Sequence, residues 1–398
     1  MLLPVSFCIM ENRPRILLIT SSYPMSENDA KAAAGLFVKD FAHELSKKMN
    51  VSVITQMTVR QRLNRSTQFD SGIEVIRFSW AGVNRPLSTL RFSKDLHLIL
   101  SVILKGIWTS LKTIRTKKID VILALWAIPS GLWALVPKWI YKTPYVVWCL
   151  GSDIWDYGSQ PIISKMLRVI LNQSSVLFAD GFQLRDDVET LSGKKCLFLP
   201  SSRLMDVNTT AKADLMPDKK NYLFIGRYHY NKGPDILIEA IAKLDPVVRK
   251  QVYLHLFGGG PLESRLRKMI KAYDLADVIC LKGYIEQKEA AAYLKGCDAL
   301  VIPSRIESIP VILSDAMQLE CPVLVSDVGD MGKIVRMYKA GIIFPSNSPD
   351  KLAKAIEKSF YEKDNYAEGR KEIIAMFDLS RTVETFTKTI YENILSEQ

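Results

Sequence analysis

Histidine is scarce in this chain. Only His43, His97, His229 and His255 occur in 398 residues, and they are far apart. That spacing argues against a multi-histidine metal centre. The six cysteines, Cys8, Cys149, Cys196, Cys280, Cys297 and Cys321, include no Cys-x-x-Cys pair and mostly sit in apolar runs. Scattered buried thiols point to a reducing compartment and away from a disulfide framework or zinc site. No uninterrupted apolar run reaches the ~20 residues that a membrane-crossing helix needs. The opening MLLPVSFCIM is apolar but short, with neither a basic leader nor a small-residue cleavage site, so no signal peptide is expected, and Met10 is a candidate start.

What is present is an uneven positive charge. The net charge is +11. Lys and Arg outnumber Asp and Glu by 25 to 15 in residues 1–200, and by only 28 to 27 in residues 201–398. A basic first half suggests an anionic partner there. No basic-aromatic module of a nucleic-acid binder is present, so a membrane surface or lipid-phosphate acceptor fits better than nucleic acid.

The chain alternates buried strands and helices. Residues 15–20, 51–55, 73–79, 120–126, 145–150, 176–179 and 196–199 read as strands of a doubly wound sheet. Gly35 stands where the first helix begins, a place for close backbone approach. Between them, Leu87 to Lys118 spaces its apolar residues by three and four and surrounds them with Arg85, Arg91, Lys94, Lys105, Lys112, Arg115, Lys117 and Lys118. This predicts one or two amphipathic helices, either packed on the sheet or lying on an anionic bilayer. Residues 203–219 are polar and weakly periodic, as a linker is. The pattern restarts at Asn221, with strands at 221–225, 252–257, 278–281 and 299–302.

The most informative stretch is Ala299 to Gly329, ALVIPSRIESIPVILSDAMQLECPVLVSDVG. A strand stops at Pro303, a turn follows, Pro310 opens a helix, and a second strand runs from Val323. The helix N-terminus offers free N–H groups and a favourable dipole to an anion. Glu307 and Asp315 flank it as hydroxyl acceptors. Upstream, Gly226-Arg227 precedes Lys232-Gly233, a fork-shaped cation followed by a compact one, both suited to phosphate. Gly258-Gly259-Gly260 follows a strand, but the dinucleotide fingerprint lacks its third glycine.

These motifs resemble the signature of retaining glycosyltransferases of family 4. Pro303-Ser304 and Glu307 match it, and Asp315-Ala316-Met317 stands where Glu-Ala-Met is usual. The resemblance implies an α/β GT-B fold, two Rossmann-like doubly wound domains facing across a cleft. The expected division is 1–202 on the acceptor side, a linker at 203–219, and 220–381 binding a nucleotide sugar, with the last helix, 382–398, packing back on the first domain. It also implies transfer of a sugar from a nucleotide diphosphate to an acceptor hydroxyl with retention, needing neither metal nor cofactor.

Carried onto this sequence, Arg227, Lys232, Glu307 and Asp153 are the expected catalytic residues. Gly35, Gly151, Gly226, Gly258, Gly283, Tyr284, Ser308, Ile309, Val311 and Asp315 are expected at the donor, with Asp315 reaching the ribose. Leu123, Leu125 and Leu150 replace histidines usual in the family, and leucine can neither donate a hydrogen bond nor titrate. That departure leaves open a catalytically weak nucleotide-sugar-binding subunit of a glycan-assembly complex. The glycine loop leaves open an NAD-type oxidoreductase. The expected partners are a nucleotide-sugar donor, a glycan or lipid-linked acceptor of surface polysaccharide, lipopolysaccharide or glycolipid synthesis, and an anionic membrane surface, with no nucleic acid. The expected location is cytoplasmic, peripheral on the inner face of the cell membrane.

Overall fold

Arg15–Ile19 (β1) buries four apolar side chains in a row, the pattern of a parallel strand covered on both faces. It is the middle of an eight-stranded sheet. The others are Asn50–Gln56 (β2), Thr67–Asp70 (β3), Ile73–Phe78 (β4), Val121–Leu125 (β5), Tyr145–Cys149 (β6), Val176–Ala179 (β7) and Cys196–Phe198 (β8). The structure, a computed structural model, describes residues 13–25, 33–58, 67–85, 87–156, 158 and 160–396. The candidate start at Met10 and much of the loop before Gly35 lie outside the described residues.

The strand order is β3-β4-β2-β1-β5-β6-β7-β8. Every pairing is parallel except β3 with β4. That hairpin was not expected from the sequence. Its turn is Ser71-Gly72, with φ of 47° and 91°, the double left-handed geometry that matches the twist of paired strands. Leu123 and Leu125 are fully buried core residues.

A second sheet holds six strands, Lys220–Ile225 (β9), Val252–Phe257 (β10), Ile279–Gly283 (β11), Ala299–Ile302 (β12), Val323–Ser326 (β13) and Ile342–Phe344 (β14). All are parallel, in the order β11-β10-β9-β12-β13-β14. Each sheet has its own apolar core. The two sheets are the centres of two Rossmann-like units.

The first unit takes residues up to 24, residues 34–199 and the segment from Leu379. The second takes residues 200–378. Helix Leu379–Ile390 sets Phe386 against Phe41 and Phe178, with ring centroids 5.5 and 5.6 Å away. The stretch 203–219 has no helix or strand, but it belongs to the second unit and is anchored there by a buried Arg203.

Candidate active site

The second sheet turns about the pair β9 and β12. From β9 the chain steps outward to β10 and β11, and from β12 to β13 and β14. Loops leaving the carboxyl ends of β9 and β12 therefore diverge, which is where open α/β sheets take ligands. The β9 loop runs through Gly226-Arg227 to a tight turn at Tyr230–Lys232, and helix Pro234–Ala242 follows. The β12 loop runs from Pro303 to Pro310 and leads to helix Val311–Gln318. Pro310 holds the capping position before that helix, with ψ of 137°, rather than the first helical position the sequence predicts.

Two glycines fix the packing of the β12 loop, one in the β9 loop and one just after β13. Gly233 has φ +65°, and a Cβ there would lie 2.1 Å from the Pro303 carbonyl oxygen. Gly329, with φ +50°, would put a Cβ 2.0 Å from the Glu307 carbonyl oxygen. Only glycine lets the backbones approach so closely. An ion pair completes the lock. Arg305 donates through both Nη atoms to the Asp235 carboxylate at 2.8 and 2.9 Å, and to the Tyr230 carbonyl at 2.8 Å. Its guanidinium lies 4.1 Å from the Tyr230 ring centroid. The sequence reading missed Arg305 and Asp235, although Asp235 stands in the first turn of its helix.

Inside this frame the Lys232 ammonium donates to Glu307 Oε2. Ser304 Oγ approaches the same oxygen at 3.4 Å. Arg227, at the end of β9, is exposed, and its side chain has no polar partner among the described residues. The neighbouring loops sit alongside. Tyr228 N–H donates to the Gly259 carbonyl at 2.9 Å, Gly226 N–H to Phe257 at 3.0 Å, and Gly258 N–H to Gly283 at 2.6 Å. The exposed Tyr284 ring covers Gly259. Ser308 and Ile309 are buried beside Val311, and Ser308 Oγ has no partner among the described residues.

Asp315, the acid expected at the donor, is enclosed. Its side chain is fully buried, and both carboxylate oxygens accept from Arg203 Nε at 2.9 Å, with Arg203 Nη2 donating as well. Burial pushes its carboxyl above the usual carboxylate range, while Arg203 pulls it down. In this arrangement Arg203, rather than solvent, meets both carboxylate oxygens. The aspartate arm is one methylene shorter than glutamate, and it ends on Arg203.

Asp153, in the first unit, is held by backbone groups. It is buried, with Oδ2 accepting from Ala127 N–H at 2.6 Å and Oδ1 from Leu150 N–H at 3.1 Å. It ties the loop after β5 to the loop after β6. Desolvation pushes its pKa up to about 6, against the backbone N–H groups that lower it. Gly151, φ +97°, precedes it, and Gly35 lies against Ser22 in the loop after β1. All three flank the first sheet's own turning point, β1 beside β5. Leu150 is half-buried. No group of three or more His, Cys, Asp or Glu gathers as a metal cluster among the described residues.

Residues 208–374 match the family model described as glycosyl transferases group 1, and residues 30–180 match the one described as glycosyl transferase 4-like. A Bacillus subtilis (strain 168) protein named as a teichuronic acid biosynthesis glycosyltransferase, TuaC, is 27% identical over 94% of this chain and 99% of its own length. Sucrose-phosphate synthase from Thermosynechococcus elongatus superposes with a TM-score of 0.81 at 17% identity, covering 97% of this chain and 100% of that one. Anabaena HepE, solved with UDP and glucose, gives a TM-score of 0.70 at 16% identity, with 95% and 100% covered. These matches set aside the oxidoreductase reading. Two glycosyltransferase regions in tandem, on two mainly parallel sheets with GT-B neighbours, make this chain a GT-B glycosyltransferase.

Proposed function

We propose that the chain is a retaining, family 4 type glycosyltransferase. It would move a sugar from a nucleotide-diphosphate donor to a hydroxyl of a glycan or lipid-linked acceptor, in the synthesis of a surface polysaccharide, lipopolysaccharide or glycolipid. The observation that carries this reading is the Lys232–Glu307 pair on two glycine-locked loops at the turning point of the second sheet. A cation beside an acid in that position serves the two ends of one donor. Lys232, with the exposed Arg227, offers positive charge to the diphosphate. Glu307 accepts hydrogen bonds from sugar hydroxyls. The nucleotide-sugar ligand of Anabaena HepE's solved complexes supports the same donor class.

In the reaction, the bond from the anomeric carbon to the diphosphate breaks while the acceptor oxygen bonds that carbon on the same face. The acceptor's proton passes to a leaving phosphate oxygen. Lys232 and Arg227 stabilise the charge that grows on the diphosphate, so neither a metal nor a further cofactor is called for. We place the enzyme on the cytoplasmic face of a membrane, reached through its basic first half. The second reading, a weakly catalytic binding subunit, is motivated by Leu150 in place of a titratable side chain.

A thermal-shift screen of nucleotide sugars, followed by turnover of the stabilising donor, tests this. Arg227→Ala and Lys232→Met are each expected to cost at least about 2 kcal/mol of transition-state stabilisation, the scale of one lost oxyanion-type contact. Unchanged turnover in both variants overturns the clamp. Tight donor binding with no turnover in the wild-type chain favours the binding-subunit reading.

A further inference from the structure

The helix Phe92–Lys117 is amphipathic in an unusual way: its outward side carries an apolar stripe among its cations. Val102, Thr109, Ser110, Thr113 and Ile114 are buried, and Gly106 packs closely on Trp133 of helix Ser130–Tyr141. The opposite side exposes Leu96, Leu100, Leu104 and Trp108, at a constant spacing of four residues, each about half or more accessible. An ordinary surface helix presents polar groups there. The neighbouring helix Ser130–Tyr141 ends in Trp139, Ile140 and Tyr141, all exposed, and helix Pro161–Gln173 exposes Ile162 and Val169. Among the described residues of the first unit, the large exposed apolar side chains otherwise number only Phe69 and Tyr391.

The charges of these three helices are of one sign. Their only acid is Asp95, which is buried and bound by Arg85 Nη1 at 2.6 Å. Lys94, Lys105, Lys112, Arg115, Lys165 and Arg168 are all exposed. Lys112 also lies 5.4 Å over the Trp108 ring, at the border between stripe and cations. The next helix along, Phe182–Ser192, carries Asp186, Asp187 and Glu189, so the exclusion of acids is local. Apolar side chains ringed by cations, with Trp at the margin, match the boundary between acyl chains and anionic headgroups. Helix Lys94–Lys117 is long and apolar enough to cross a bilayer by length and composition. Its packed inner side, seated on the sheet and on Trp133, keeps it lying on the surface instead.

We infer that this helical layer is a membrane-docking face, and that its partner is a bilayer rich in anionic lipid. It deepens the membrane part of the proposed function and is independent of which sugar is moved. The test is flotation of the full chain with phosphatidylcholine vesicles, with and without phosphatidylglycerol. Three proteins are compared: wild type, Leu100→Ser/Leu104→Ser and Lys105→Gln/Lys112→Gln. Thermal unfolding checks that these exposed substitutions leave the fold intact. The wild type is expected to float with anionic vesicles only, and less as salt rises. The lysine variant should bind roughly 25-fold more weakly, from about fivefold per basic residue. The leucine variant should lose roughly tenfold or more, from the apolar area withheld.

A wild type that ignores vesicles, or prefers neutral ones, overturns both this face and the membrane reading. A wild type that floats while both variants float equally well overturns the face alone. Concentration-dependent dimers that vanish in the leucine variant, without vesicle binding, would identify a second copy as the occupant and overturn the inference.

Discussion

Arg203→Met tests the assignment of Asp315 most sharply. In the wild type the Asp315 carboxylate has no exposed surface, and Arg203 Nε reaches both of its oxygens at 2.9 Å. Removing the guanidinium leaves a buried anion without a counter-charge. Breaking such a pair by deleting one partner costs about 3–5 kcal/mol, because the desolvation already incurred is no longer offset. A unit of this size shifts by about 2–4 °C per kcal/mol, so the midpoint of the second unit should fall by roughly 6–20 °C. The deficit depends on pH. Without Arg203 the Asp315 carboxyl titrates further above its unfolded value, so the folded state binds its proton more tightly than the unfolded chain. The loss is then smallest in acid and grows as pH rises toward neutrality. The double variant Arg203→Met/Asp315→Leu removes both charges and should recover most of the midpoint. Calorimetry at several pH values reads all of this. If Asp315 instead reads a ribose, Asp315→Asn would raise the donor KM and leave the melting unchanged. A single Arg203→Met variant within about 0.5 kcal/mol of wild type, the ordinary scatter of surface substitutions, would refute the buried-pair account.

Two further outcomes are expected. Gly233→Ala should lower both stability and turnover by more than Gly193→Ala lowers stability. Both glycines have φ near +65 to +69°, but only Gly233 has a backbone oxygen 2.1 Å from the new Cβ, while Gly193 has open space. The difference between their urea midpoints isolates the close approach beside Lys232. Asp153, with its pKa pushed up to about 6, should make the folded first unit lose stability as pH rises from about 4 to 6. The penalty of Asp153→Asn relative to wild type should shrink over that interval and then level off. A penalty that is flat with pH would show the carboxyl ionised throughout.

The fold was legible because parallel strands covered on both faces are continuous apolar runs, and this chain writes them plainly, as in RILLI and VILAL. The glycines and cations of the second half were legible for the same local reason, since a turn and its ligand-facing residues are neighbours in sequence. What escaped was non-local. Arg203 and Asp315 are 112 positions apart, and Arg203 stands in an aperiodic stretch that reads as linker. Nothing in the sequence shows that the shorter acid meets Arg203. Asp153 escaped similarly, because its partners are backbone N–H groups, which every sequence contains. The edge strand Thr67–Asp70 has no buried side chain and so leaves no apolar trace.

The return of the chain at Leu379 has a consequence for how such proteins diversify. The first unit is discontinuous: its final helix is encoded after the second unit ends, and that helix carries the phenylalanine wedged between Phe41 and Phe178. A gene fusion joined at a single point near residue 200 would close that aromatic nest with the other parent's helix. Exchange of the second half between relatives must therefore use two junctions, one on each side of the insert, so that each recipient keeps its own closing helix.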